Sequence, residues 1–149
     1  MDVQTSRFGT VTVDDDRIIT FSSGLLGFST YHRYALLVDD AKDSVFFWLQ
    51  SLDAPELAFV VTDPSMWVPG YEVPVRQEQF DEIGLAQPTE GQVLVIVNKH
   101  GDELTANLQG PLLINSGNRQ GMQLVLADKR WTTRHGLFTI GQALHAASA

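Results

Sequence analysis

Cysteine is absent from the 149-residue chain. That excludes a disulfide framework, a thiol nucleophile and a cysteine-ligated metal site. Cations are scarce: 10 Lys and Arg stand against 18 Asp and Glu, a formal charge of −8. Grip on a phosphate backbone needs clustered cations, so direct nucleic-acid binding is not expected. Long apolar runs are missing too, and none approaches the roughly 20 residues of a membrane-spanning helix. Met1-Asp2-Val3-Gln4 lacks the basic segment and apolar stretch of a secretory signal. The expectation is a cytoplasmic chain with no membrane partner.

A chain of this length is most simply one domain, and folding buries roughly 70% of its unfolded surface. The stretch from Phe47 to Pro64 organises the rest. Val45–Leu49 and Leu57–Val61 are apolar runs of strand length, rich in aromatic and β-branched residues, and Ser51–Pro55 between them has turn chemistry. They predict two buried antiparallel strands, with Trp48 in the core. Pro64 lacks the N–H that a central strand needs and ends the second run.

Before this pair, residues 2–13 predict a hairpin turning at Arg7-Phe8-Gly9, and Arg17–Phe21 a strand. In Ser22–Phe28, two glycines supply special backbone angles while Leu25, Leu26 and Phe28 are expected to pack inward. Ser29–Arg33 fits one helical turn, Tyr34–Val38 a strand and Asp39–Ser44 an exposed loop. After the pair, Ser65–Val75 reads as irregular, with a short edge strand near Tyr71-Glu72-Val73. Gln77–Ile83 predicts a helix whose Phe80 and Ile83 share a face, with Gly84 just past its end. Val93–Val97, Leu104–Leu108, Pro111–Asn115 and Met122–Ala127 predict strands. Asn98–Asp102 and Ser116–Gly121 predict turns, and Arg130–Leu137 a segment that closes the sheet. Thr139 is a candidate N-cap for a helix in the Ala-rich tail, residues 139–149. Short strands with frequent turns and one or two short helices indicate an all-β fold, a small single-domain β-barrel or sandwich over residues 1–138.

The chemistry is sparse. Asp14-Asp15-Asp16 lacks the further oxygen ligands and turn glycine of a calcium loop. Ser22–Phe28 is neither a phosphate cradle nor a nucleophile elbow. His32, His100, His135 and His145 lack metal-pair spacing. No cofactor or catalytic residue is indicated. Trp67 and Trp131 lie in irregular stretches, where tryptophan serves either packing or an interface.

Several segments in sequence carry a resemblance. Ile19-Thr20-Phe21 with Gly24–Phe28 is followed by Trp48-Leu49-Gln50-Ser51 and by Leu57–Pro64. Thr105-Ala106-Asn107-Leu108 then precedes Pro111 and Ile114-Asn115, and Gly121-x-Gln123-x-Val125-Leu126 and Arg134-His135 follow. In this order and spacing the chain resembles the flagellar assembly factor FliW family, from about residue 3 to residue 138. Ser22 and Leu26 stand where that family tends to carry proline, and Gly136 where it commonly has proline. The resemblance implies a β-barrel-like fold and a non-enzymatic cytoplasmic regulator, a monomer when free. Its implied partners are flagellin before export and the translational repressor CsrA, whose repression it relieves. Open alternatives are a flagellin chaperone without CsrA antagonism and a small-ligand-binding barrel. Thr62, Asp63, Pro64, Thr105, Ala106, Asn107 and Asn115 are candidate protein-binding residues at strand ends. The same polar groups equally suit turn-stabilising roles.

Overall fold

In the computed structural model, the residues described are 1–38, 45–87 and 90–139. The expected central pair forms as β5 (Phe46–Ser51) and β6 (Ala58–Thr62), antiparallel from Phe46↔Thr62 to Gln50↔Ala58. The turn between them is fastened by Gln50, whose buried Nε2 donates to the carbonyls of Ser51, Pro55 and Leu57 at 3.0–3.1 Å. Ser51 Oγ accepts from the N–H groups of Asp53 and Ala54. Leu49 and Val61 are fully buried on the inner face, while Phe46, Trp48 and Val60 on the other face are partly covered, so the runs lack polar alternation.

Around this pair a sheet closes on itself. The hairpin β1 (Asp2–Thr5) and β2 (Gly9–Thr12) stands apart as its own two-stranded sheet. The strands β3 (Ile18–Phe21), β4 (Arg33–Val38), β5, β6 and β7 (Gly91–His100) follow one another antiparallel. From the far end, β9 (Leu112–Asn115) pairs with β7 and with β10 (Gln120–Gln123). β10 then lies parallel to β3 through Gln120↔Thr20 and Gly121↔Phe21, which completes a ring of seven strands. At Gly121 a Cβ would stand 2.7 Å from the Phe21 ring, so only glycine admits the fully buried phenylalanine there. The interior is filled by Ile19, Phe21, Tyr34, Leu49, Val61, Leu94, Leu112 and Ile114.

β8 (Glu103–Ala106) and β9 run along the same edge of β7 as one interrupted strand. β8 pairs with Val97–His100 and β9 with Gly91–Leu94. The interruption, Asn107–Pro111, bulges where Asn107 N–H donates to Ile96 O. Away from the ring β8 pairs with β11 (His135–Thr139), so of Arg130–Leu137 only His135–Leu137 joins the sheet, on this flare, and it does not close the ring as expected.

The helix forms as α1 (Gln77–Glu82). Gly84 N–H donates to Asp81 O and Leu85 N–H to Phe80 O, the paired bonds of a Schellman ending. Ile83 and Leu85 then bury against Leu113, Leu124 and Leu126.

Four further expectations are corrected, and two others fall outside the described residues. Ser29–Arg33 makes no helical turn, because the Phe21 N–H bond to His32 O draws the segment against β3. Tyr71-Glu72-Val73 pairs with no strand; Pro69 and Pro74 flank it, and it docks through side chains instead. Asn98–His100 belongs to β7, leaving Gly101-Asp102 as the turn. Thr139 ends β11; the helix expected after it, like the loop Asp39–Ser44, lies outside the described residues. Leu26 is 61% exposed, since Gly24 (φ 68°) and Gly27 (φ 84°) turn it outward while Leu25 packs inward.

Candidate protein-binding surface

Successive residues of a strand point to opposite faces. On β5, Phe47 and Leu49 face the interior, so Phe46 and Trp48 face outward. Trp48, expected in the core, is therefore half-buried on the outer face, between Leu37 of β4 and Val60 of β6. The length and aromatic content of the run signalled a strand; only register could show which face the indole takes.

The hairpin covers part of that face. Val3 and Val13 bury against Ala35. At its tip, Phe8 meets Trp48 edge-on at 5.6 Å, and the Arg7 guanidinium lies 4.5 Å over the indole. A groove of about 610 Å³ remains between hairpin and barrel, lined by Phe8, Val11, Leu37, Val38 and Trp48. Phe8 is 44% and Val38 50% exposed. Further along β5, Phe46 stacks on Trp67 at 5.8 Å, and Trp67 meets Phe138 at 5.2 Å. Met66, beside Trp67, is 57% exposed. An aromatic band thus crosses the outer face from Phe8 to Phe138. Phe8 and Phe46 were passed over in the sequence. The one available signal was an aromatic residue in a hairpin tip, where turn residues are usually small or polar.

The seven candidate residues fall into three places. Thr62 is fully buried; its hydroxyl donates to Val45 O at 2.7 Å and accepts from Trp67 Nε1 at 3.1 Å, which holds Trp67 in the band. Asp63 Oδ1 accepts from both the N–H and the hydroxyl of Ser65, and Pro64 opens the 3-10 turn Pro64–Met66. Thr105 and Ala106 are buried at the fork of the split strand. Asn107 Oδ1 accepts from Gly110 N–H at 2.9 Å and shapes the bulge. Asn115 lies at the other end of β9, where its Nδ2 donates to Ile83 O, as does that of Asn118. Thr62 and Ala106 share the outer face with Val95 and Val97, Thr105 points to the opposite face, and Asn115 latches α1.

Gln123 joins two of the resemblance segments. Its Oε1 accepts from Leu26 N–H at 2.8 Å and its Nε2 donates to Gly110 O at 2.9 Å. Tyr71 donates its hydroxyl to Leu108 O at 2.6 Å, and burial pushes its pKa well above the usual phenol range. Among the described residues no three His, Cys, Asp or Glu side chains converge as metal ligands. No helix of the described residues is long and apolar enough to cross a membrane. The arrangement suits contact with a macromolecule: half-buried aromatics flanked by exposed Phe8, Val38 and Met66, and backbone loops pinned in place beside them.

Comparison with known proteins bears on what such a surface serves. A family model described as FliW protein matches residues 2–137. The flagellar assembly factor FliW of Treponema pallidum is 41% identical over 139 residues, covering 92% of this chain and 91% of that protein. The protein of the same name from Leptospira interrogans is 36% identical over 141 residues, with 93% of each chain covered. A solved crystal structure of the flagellar assembly factor FliW superposes with a TM-score of 0.83 at 30% identity, covering 93% of this chain and 97% of that one.

Proposed function

The chain belongs to the FliW family of flagellar assembly factors, and from that premise we propose that it holds flagellin before export and, when free of it, captures CsrA. That family is one of assembly factors and not a known enzyme family. The observation that carries the reading is the family match along nearly the whole chain, residues 2–137. The proposed working state is a cytoplasmic monomer with no cofactor and no catalytic step. Competition between two partners for one protein then sets how much CsrA remains free, by mass action alone. The formal charge of −8 favours encounter with a basic RNA-binding protein.

The contacts are proposed on the aromatic band and on the loops beside it. Thr62-Asp63-Pro64 shapes the loop that presents Met66 and Trp67, and Thr105-Ala106-Asn107 shapes the bulge at the fork. Asn115 anchors the β9–β10 turn. A ligand-binding barrel is not favoured, because the interior is occupied by its own side chains.

Titration calorimetry tests the reading: the protein against flagellin, against CsrA, and against each with the other already bound. The expected result is binding to both, with flagellin blocking CsrA. Flagellin binding alone leaves a chaperone, and silence from both in a folded sample overturns the proposal. Phe8→Ala and Met66→Ala, both at exposed positions, are expected to weaken at least one partner by about tenfold without shifting Tm. Unchanged affinities for both partners would remove the band from the interface.

A further inference from the structure

A second concavity lies away from the aromatic band. Three adjacent strands bring polar side chains into one row on the outer face of the ring. Arg33 of β4 sits directly across from Thr20 of β3, and Gln120 of β10 sits across from Thr20 on its other side. Direct cross-strand neighbours stand about 5 Å apart at Cβ, so the three form a continuous line of donors. Ile19 and Phe21 point inward, which fixes the opposite face for Thr20. Arg119 flanks the row, and Asn118 and Asp15 complete the walls of a polar cavity of about 300 Å³.

Arg119 is the one non-glycine residue with positive φ among the described residues, at 59°. Its peptide groups are held on both sides. Its N–H donates to Asn115 O at 2.8 Å, and its carbonyl accepts from Thr20 N–H at 3.0 Å. Asn118 Oδ1 accepts from Gln120 N–H on the next residue. Glycine or asparagine would adopt this conformation with less strain, yet an arginine occupies it, half-buried, beside the donor row. Among the described residues its guanidinium makes no ion pair, and Arg33 has only Asp53 at 3.9 Å. In a chain of charge −8, one guanidinium without an ion pair among the described residues and a second held only by the 3.9 Å pair with Asp53 line the same cavity.

We propose that this cavity is a recognition site for a carboxylate, carried by an acidic peptide segment. A planar guanidinium presents paired N–H donors that match two carboxylate oxygens. Thr20 and Gln120 supply neutral donors alongside. The cavity, about 300 Å³ and open to solvent, admits one or two side chains. Asp15 on the wall repels any anion and the guanidiniums attract any anion, so the carboxylate assignment rests on the planar match to the guanidinium fork. The site is independent of the aromatic band and of which proteins occupy it.

The test is an NMR titration of the isotope-labelled intact protein at fixed ionic strength. The probes are acetyl-Glu-Glu-amide, its Gln-Gln counterpart and inorganic phosphate. Saturable shifts are expected at the Thr20 and Gln120 amides and at the side-chain Nε–H of Arg33 and Arg119, with the acidic peptide and not with the neutral one. Arg33→Gln and Arg119→Gly are each expected to raise the dissociation constant by about fivefold or more. Arg119→Gly removes the guanidinium and relieves the backbone strain together, so its Tm is expected to equal or exceed that of the parent. Absence of shifts with the acidic peptide would overturn the proposal, as would shifts that survive both substitutions. Tighter saturation by phosphate would overturn the carboxylate assignment.

Discussion

Tyr34 is fully buried between Phe21 and Phe59, and among the described residues its hydroxyl has no hydrogen-bond partner. A buried hydroxyl without a partner opposes folding by about 1–3 kcal/mol. Tyr34→Phe is therefore expected to hold or raise stability at neutral pH, by up to about 1 kcal/mol, read from denaturant melts. A loss of that size would instead reveal an acceptor, such as a buried water, that the hydroxyl satisfies. The same burial, with smaller contributions from Asp53 and Tyr31, pushes the phenol up to about 12. Above pH 10 the unfolded chain releases this proton more readily than the folded one. The stability linked to Tyr34 is thus complete below pH 10 and lost as pH rises toward 12. Tyr34→Phe is expected to flatten that alkaline decline; Tyr71, also raised, maintains part of it. An unaltered decline would show that Tyr34 is not among the groups responsible.

The split strand shows how one side chain sets the shape of an element. Asn107 supplies the acceptor for Gly110 N–H inside the bulge, where Leu108 N–H and Gln109 N–H both turn to Thr132 O. Asn107→Ala removes that acceptor and is expected to lower stability by about 1 kcal/mol, while Asn107→Asp, which keeps the oxygen, stays within about 0.5 kcal/mol. Equal losses from both, in thermal melts, would place the role of Asn107 in its amide nitrogen. Legibility follows the range of the signal. The β1–β2 hairpin, the β5–β6 pair and α1 with its Gly84 ending were readable, because strand-length runs, turn residues and a C-terminal glycine are local. The flare of β8 onto β11 was not, since it depends on which edge of β7 is already occupied. Trp48 and Leu26 went astray for a related reason: a residue's type says that it is apolar, but the facing of its strand or turn decides whether it is covered.

At the scale of the molecule, an all-β barrel or sandwich was legible from the count of short runs and turns, and the ring's closure was not. Nothing in the sequence around Thr20 announces its neighbour Gln120. The candidate contact residues were chosen as polar groups at strand ends, and the structure gives most of their polar atoms partners within the fold. Of the half-buried band beside them the sequence pointed to Trp67, while Phe46 and Trp48 sit in an aromatic run that reads as core. The proposed contact surface is an arrangement of faces, which only the assembled sheet defines.

The parallel seam between β3 and β10 has a kinetic consequence. It joins Thr20 to Gln120, about a hundred positions apart, whereas β3 through β7 are linked in chain order by antiparallel pairs. Closing so long a loop sacrifices chain entropy before any pairing energy returns, so the seam is expected to form after the folding barrier is crossed. Gly121→Ala, which drives a methyl against Phe21, is then expected to destabilise by about 1–3 kcal/mol and to speed unfolding by about tenfold or more. Its refolding rate should remain within about twofold of the parent. In stopped-flow measurements, refolding slowed in proportion to the lost stability would place the seam in the nucleus instead. With a late seam, the barrel opens and shuts along one line, and resistance to unfolding is set where the two ends of the chain's path meet.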